Sequence, residues 1–190
     1  MVVEKRKLFH FCLVISLTFS LLFSPVTASA TNFCFIGDSR FVGMEQSIEY
    51  QSNITWISKV AMGNYWFWQN TDVVNSLDRD TVIIYEMGVN DLDAEECVAV
   101  LKYLRELGFN HVYFTGATPV NEPKGFAYGY SRTNEQIRTY NYEVYCNLPE
   151  GVAMMDCYDY LINMGFSTTD GIHYTSDTYQ MWFDNIMASL

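Results

Sequence analysis

The sequence predicts an α/β domain with a five-stranded, mostly parallel sheet. Three observations predict it. Short apolar runs alternate with longer amphipathic stretches, which is the pattern of repeated βαβ units. The chain has 190 residues, 49% of them apolar, enough for one well-buried core and too few for two ordinary domains. There is also no repeat, low-complexity tract or linker to divide it.

The first thirty residues stand apart. A basic start at Lys5-Arg6-Lys7, an apolar run from Leu8 to Phe23 and the small-residue stretch Ala28-Ser29-Ala30 read as a secretory signal peptide, residues 1–30, cleaved after Ala30. The run is shorter than the roughly 20 apolar residues a bilayer span needs, although a retained anchor is the alternative. The domain is then 31–190. The expected localisation is extracellular, with no stable membrane association after cleavage.

Strands are expected at Phe33 to Ile36, Thr55 to Val60, Val82 to Glu86, Val112 to Thr115 and Val152 to Met155. Helices are expected at about Phe41 to Tyr50, Tyr65 to Leu77, Ala94 to Leu107, Asn134 to Asn147 and Ser176 to Ala188. The third helix carries its own punctuation: Asp93 three residues before Glu96 is a capping-box spacing, and Gly108 follows the last turn. Ala117 to Tyr130, rich in Pro and Gly, reads as a long irregular loop, a common place for function.

The net charge of the whole chain is −11. Without the leader, 8 basic residues face 21 acidic ones, a net −13. Such a surface repels phosphate backbones and anionic headgroups, so nucleic acid and membrane surfaces are poor partners. A neutral ligand such as an acylated sugar fits better. Four cysteines follow the leader: Cys34, Cys97, Cys146 and Cys157. They contain no CxxC pair, which argues against zinc. They read as small buried hydrophobes or, in an exported chain, as bridges, with Cys146 to Cys157 the favoured pair.

In parallel sheets ligands bind beyond the carboxyl ends of the strands. Gly37-Asp38-Ser39 follows the first strand and opens a helix, where unpaired N–H donors and the positive dipole end favour negative charge. Ser39 suits a nucleophile there, or one of the pair Asp38 and Ser39 simply caps the helix. Only His111 and His173 remain in the mature chain as bases. His111 opens the fourth strand at the far end. His173 closes Asp170-Gly171-Ile172-His173, where Asp170 is placed to fix its tautomer, although the same residues also suit an ordinary capped turn. Asn90, in Gly88-Val89-Asn90-Asp91 after the third strand, offers a side-chain donor for an oxyanion or serves as a turn residue. Gly63 lets a backbone N–H approach a ligand.

Together these four segments resemble the GDS, Gly, GxND and DxxH blocks of the SGNH (GDSL-like) hydrolase superfamily, and the likeness spans Phe33 to the C-terminus. The resemblance implies a flavodoxin-like three-layer α/β/α sandwich and a Ser39, His173, Asp170 triad. It implies an oxyanion hole from the Ser39 amide, the Gly63 amide and the Asn90 side chain, and no cofactor. Arg40 stands where the GDSL pattern has leucine, and either pairs with a carboxylate or reaches a polar substrate group. The aromatic run Asn64-Tyr65-Trp66-Phe67-Trp68 either packs in the core or offers rings such as Tyr65 and Trp66 as a sugar platform. The expected function is a secreted serine esterase removing acetyl or other short acyl groups from carbohydrate. The alternatives are a lipid-ester or thioester hydrolase or an acyltransferase with the same triad, and a noncatalytic carbohydrate-binding protein on the same fold.

Overall fold

The computed structural model describes residues 31–190, so the expected signal peptide lies outside the described residues. Five strands, β1 (Phe33–Gly37), β2 (Ile54–Ser58), β3 (Val82–Glu86), β4 (Val112–Phe114) and β5 (Val152–Met154), form one sheet in the order β2-β1-β3-β4-β5. Every pairing in it is parallel. This is the flavodoxin-like order, and it reverses direction between β1 and β3. The crevice at that reversal is the place where loops from the two central strands diverge.

Alternation along the strands builds two cores. Cys34, Ile36, Ile83, Tyr85, Val112 and Phe114 face one layer, and Phe35, Val82 and Ile84 face the other. Helices α3 (Ala94–Glu106) and α5 (Asn134–Cys146) cover the first face. Helices α1 (Ser39–Ser47), α6 (Cys157–Met164) and α7 (Ser176–Ala188) cover the second, with Trp182 fully buried. All five residues of β3 are buried, as a central parallel strand requires.

Helix starts follow local chemistry. Asp93 Oδ1 accepts from the Glu96 amide at 3.0 Å to cap α3, and Thr133 and Gln136 make a complete capping box on α5. The expected single helix Tyr65 to Leu77 is instead a 3₁₀ segment, Asn64–Asn70, followed by the short α2, Thr71–Asn75. Its start is set by tertiary hydrogen bonds: the Asn64 amide donates to Asp91 Oδ2 at 2.5 Å, and Tyr85 Oη donates to Asn64 Oδ1 at 2.9 Å. The irregular stretch from Ala117 to Tyr130 holds a helix, α4 (Glu122–Ala127), capped by Asn121 and carrying Pro123 in its first turn. Helix α6, capped by Asp156, was not expected either.

Among the described residues all four cysteines are free, so Cys146 and Cys157 are not bridged. Burial pushes the Cys34 and Cys157 thiols up to about 12, which leaves them inert small hydrophobes. No helix among the described residues is long and apolar enough to cross a membrane.

Candidate active site

The carboxyl end of β1 leads straight into α1. Asp38 is the N-cap, its Oδ1 accepting from the Arg40 amide at 2.9 Å, and Ser39 is the first helical residue. The Ser39 amide is therefore one of the helix's unpaired N–H groups. The turn before α7 brings in His173: its Nε2 lies 2.9 Å from Ser39 Oγ, and its Nδ1 lies 2.6 Å from Asp170 Oδ2. Asp170 Oδ1 also accepts from the amides of Ile172 (2.9 Å) and His173 (2.8 Å), so the carboxylate holds the ring and the backbone carrying it. Tyr130 Oη donates to Asp170 Oδ2 at 3.3 Å. Partial burial alone pushes the Asp170 carboxyl up. The bonds from the His173 ring and the two amides outweigh burial and hold it at about 2.

Gly171 makes this turn possible. Its φ is +99°, and a Cβ there would stand 2.2 Å from the backbone nitrogen of Gly125 in α4. The turn and α4 are in backbone contact.

The loop after β3 brings Asn90 to the same crevice. Its Nδ2 donates to the Met62 carbonyl at 2.7 Å and to Asp38 Oδ2 at 3.2 Å. The Asn90 amide is thus held by two neighbouring segments. Gly63 adjoins Met62. A Cβ on it would come within 2.2 Å of Asp91 Oδ2, the atom that fixes the Asn64 amide, so a side chain there would displace the Asp91 carboxylate. Among the described residues the Gly63 amide has no acceptor.

A cavity of about 350 Å³ opens over Ser39 and His173, lined by Val60, Ala61, Asn90, Tyr130 and Arg132 among others. Ala61 has φ 59°, a left-handed conformation uncommon without glycine and often stored at functional sites.

The three expected substrate contacts do not line the cavity. Arg40 is fully buried: Nη1 donates to the Thr118 carbonyl (2.6 Å) and Oγ1 (2.7 Å), and the guanidinium stacks on Tyr174 with its Cζ 5.3 Å from the ring centroid. It braces the interior and does not reach the cavity. Trp66 is a core residue. Tyr65 is exposed, away from the cavity lining, and its hydroxyl accepts from Gln69. The cavity's aromatic wall is Tyr130. Arg132 was not singled out by the sequence because its partners, the carbonyls of Val89 and Asn90, lie about forty residues away.

Beneath Ser39 two carboxyl groups are fully buried, Asp38 and Glu86. Burial pushes Glu86 well above the usual carboxylate range and the neighbouring Asp38 charge adds to it. Burial also raises Asp38, against the pull of Arg40 and its amide. Of the two, Glu86 is the carboxyl whose protonated form burial favours more strongly.

No family model and no curated protein matches the chain. Solved structures do. A Streptococcus pneumonia protein provisionally described as a platelet activating factor superposes with a TM-score of 0.70 at 19% identity, over 87% of this chain and 86% of that one. A GDSL-like lipase from Bacteroides thetaiotaomicron gives 0.66 at 15% identity, over 84% and 87%. An acetyl xylan esterase gives 0.61 at 14% identity, over 84% and 100%. The fold is that of the SGNH (GDSL-like) hydrolases.

Proposed function

We propose that the chain is a secreted serine esterase that removes short acyl groups, acetyl above all, from carbohydrate. The observation that carries the esterase reading is the Ser39, His173, Asp170 relay, with its 2.9 Å and 2.6 Å contacts opening onto a cavity. Ser39 Oγ attacks the ester carbonyl carbon while its proton passes to His173 Nε2, and Asp170 stabilises the imidazolium. The oxyanion takes hydrogen bonds from the Ser39 and Gly63 amides and from Asn90 Nδ2, which turns from the Met62 carbonyl. His173 then protonates the leaving alcohol as its C–O bond breaks. Water, deprotonated by His173, attacks the acyl-Ser39 carbonyl, the acid departs, and the proton returns to Ser39 Oγ.

Support for a small acyl group comes from the cavity's modest size. Support for a neutral sugar comes from the acidic composition and from Tyr130 as a flat wall beside the nucleophile. The acetyl xylan esterase likeness points the same way.

A fluorophosphonate probe tests the esterase reading. Wild type should be labelled on Ser39, and the folded Ser39→Ala protein should be neither labelled nor active on p-nitrophenyl acetate. Near wild-type turnover by folded Ser39→Ala would reject the mechanism. A noncatalytic binding protein would leave the probe unreacted. Acetylated oligosaccharides should then be cleaved in preference to glycerides.

A further inference from the structure

We infer that Arg132 is a positioning residue for the oxyanion donor, holding the backbone of Val89 and Asn90 so that the Asn90 amide stays at the nucleophile. The inference rests on the esterase reading for its kinetic consequence and on geometry alone for the clamp. Arg132 Nε donates to the Val89 carbonyl at 2.7 Å and Nη2 donates to the Asn90 carbonyl at 2.9 Å. Two adjacent carbonyls taken by one planar, permanently charged fork fix the peptide's position and its orientation together, which a lysine's point charge does not do.

The anchor itself is rigid. Arg132 immediately precedes Thr133, whose capping box starts the thirteen-residue α5. Asn134 Oδ1 further accepts from the Val120 amide at 2.9 Å, and the Asn134 amide donates to Glu122 Oε1 at 2.6 Å. The loop it grips needs an anchor. Asn90 is exposed, and two residues on Leu92 sits at φ 54°. The Asn90 side chain meets Met62 and Asp38, but those bonds place the amide correctly only if its backbone is fixed. Arg132 also lines the cavity over Ser39, so it joins the cleft wall to the donor loop.

Arg132→Ala should lower kcat on p-nitrophenyl acetate by roughly 10- to 100-fold with KM changed less than about threefold, since a small displacement of a donor acts in the transition state. In the Asn90→Ala background the same change should cost less than about twofold, because the donor it positions is gone. Guanidinium at millimolar concentration should restore part of the single variant's kcat and none of the double's. Arg132→Lys should fall between. If Arg132→Ala does not fold, the lysine variant, alone and with Asn90→Ala, carries the same comparison.

Amide hydrogen exchange reads the clamp whether or not the chain hydrolyses an ester: residues 88–92 should exchange faster in Arg132→Ala than in wild type, with α5 unchanged. Unaltered exchange there would overturn the inference while leaving the esterase reading intact. Equal fold-losses of kcat in the wild-type and Asn90→Ala backgrounds would also overturn it. An unlabelled wild type with faster exchange in Arg132→Ala would instead sink the esterase reading and keep the clamp.

Discussion

At the scale of single residues, the site's polar groups fall into those that meet the substrate and those that hold others in place. On the proposed reading Asn90 is of the first kind, and Asn90→Ala should lower kcat by roughly 10²-fold with little effect on KM, because an oxyanion donor acts chiefly in the transition state. Steady-state kinetics on a short-chain ester decides it: a rise in KM alone would make Asn90 a ground-state contact. Glu86 stands outside both kinds, fully buried with no hydrogen-bond partner on either carboxyl oxygen, and its test is pH. In the unfolded chain its carboxyl ionises near its ordinary 4.5, whereas in the fold burial and Asp38 keep the proton on to well above that. Between those two values the native state holds a proton that the unfolded state has released, so stability falls as pH rises through the window. Below the window the group contributes nothing. Glu86→Gln, a permanent neutral analogue of the protonated acid, should therefore flatten that slope and be at least as stable as wild type at pH 7. Urea unfolding at several pH values measures this, and a loss above roughly 2 kcal/mol at pH 7 would mean that Glu86 is ionised against Arg40. Glu86 lies two residues before the GxND-like block and carries no motif of its own. Its burial beside Asp38 follows from the register that pairs it with Gly37, which only the sheet reveals.

At the scale of elements, what could be read from the chain depended on how local its cause was. The five strands are short β-rich runs, with β1 and β3 buried on both faces, and α3, α5 and α7 are long amphipathic stretches, so the sequence pattern locates them. Helix α4 is hidden in the sequence because it is only six residues long and holds both a proline and a glycine, although Asn121 followed by Pro123 is a readable start signal. The 3₁₀ segment was not readable at all: Asn64 is tied to Asp91 and Tyr85, and those partners are distant in sequence. The blocks around Ser39, Asn90 and His173 were legible because each sits at a strand exit or turn with its own small-residue pattern. Arg132 was not, because its role comes from where the start of α5 is placed. The contact between α4 and the Asp170 to His173 turn makes a test at this scale. Gly171→Ala would force a Cβ against the backbone of Gly125 and strain a φ of +99°. The variant should lose roughly 1–3 kcal/mol or more of stability. Because the displaced turn carries His173, it should also lose kcat by a larger factor than KM. An unchanged urea midpoint would show that α4 yields and that the turn is not braced by it.

At the scale of the whole molecule, an all-parallel sheet that reverses order between β1 and β3 decides where the site lies, and the short connections around it decide what enters. Ser39 follows β1 and Asn90 follows β3, so the two flank the reversal, and His173 arrives from the turn before α7. What is built over them is shallow. Helix α4 is the nearest candidate for a roof, yet Phe126 on it is half exposed and is absent from the cavity lining. The walls combine a few small apolar groups, Val60, Ala61, Val89 and Ile172, with Asn90, Tyr130, Ser131 and Arg132. Each added acyl methylene would gain about 0.8 kcal/mol only where it meets apolar surface away from water, and these walls offer that surface for the first few carbons alone. Beyond them the chain would lie against Arg132 and polar backbone or in solvent, gaining no binding while losing conformational freedom. The ratio kcat/KM should therefore be highest for acetyl or propionyl esters of one alcohol, fall by butyryl and be lowest for octanoyl and palmitoyl, all measured below micelle-forming concentrations. A rise from acetyl through octanoyl would require an apolar channel opened by movement of α4 and would replace the carbohydrate reading with a lipid-directed one. If acetyl is preferred, the acidic surface makes a further demand: an acetylated neutral oligosaccharide should be cleaved faster than an acetylated polyanionic one at low ionic strength, and the difference should shrink as salt screens the net charge.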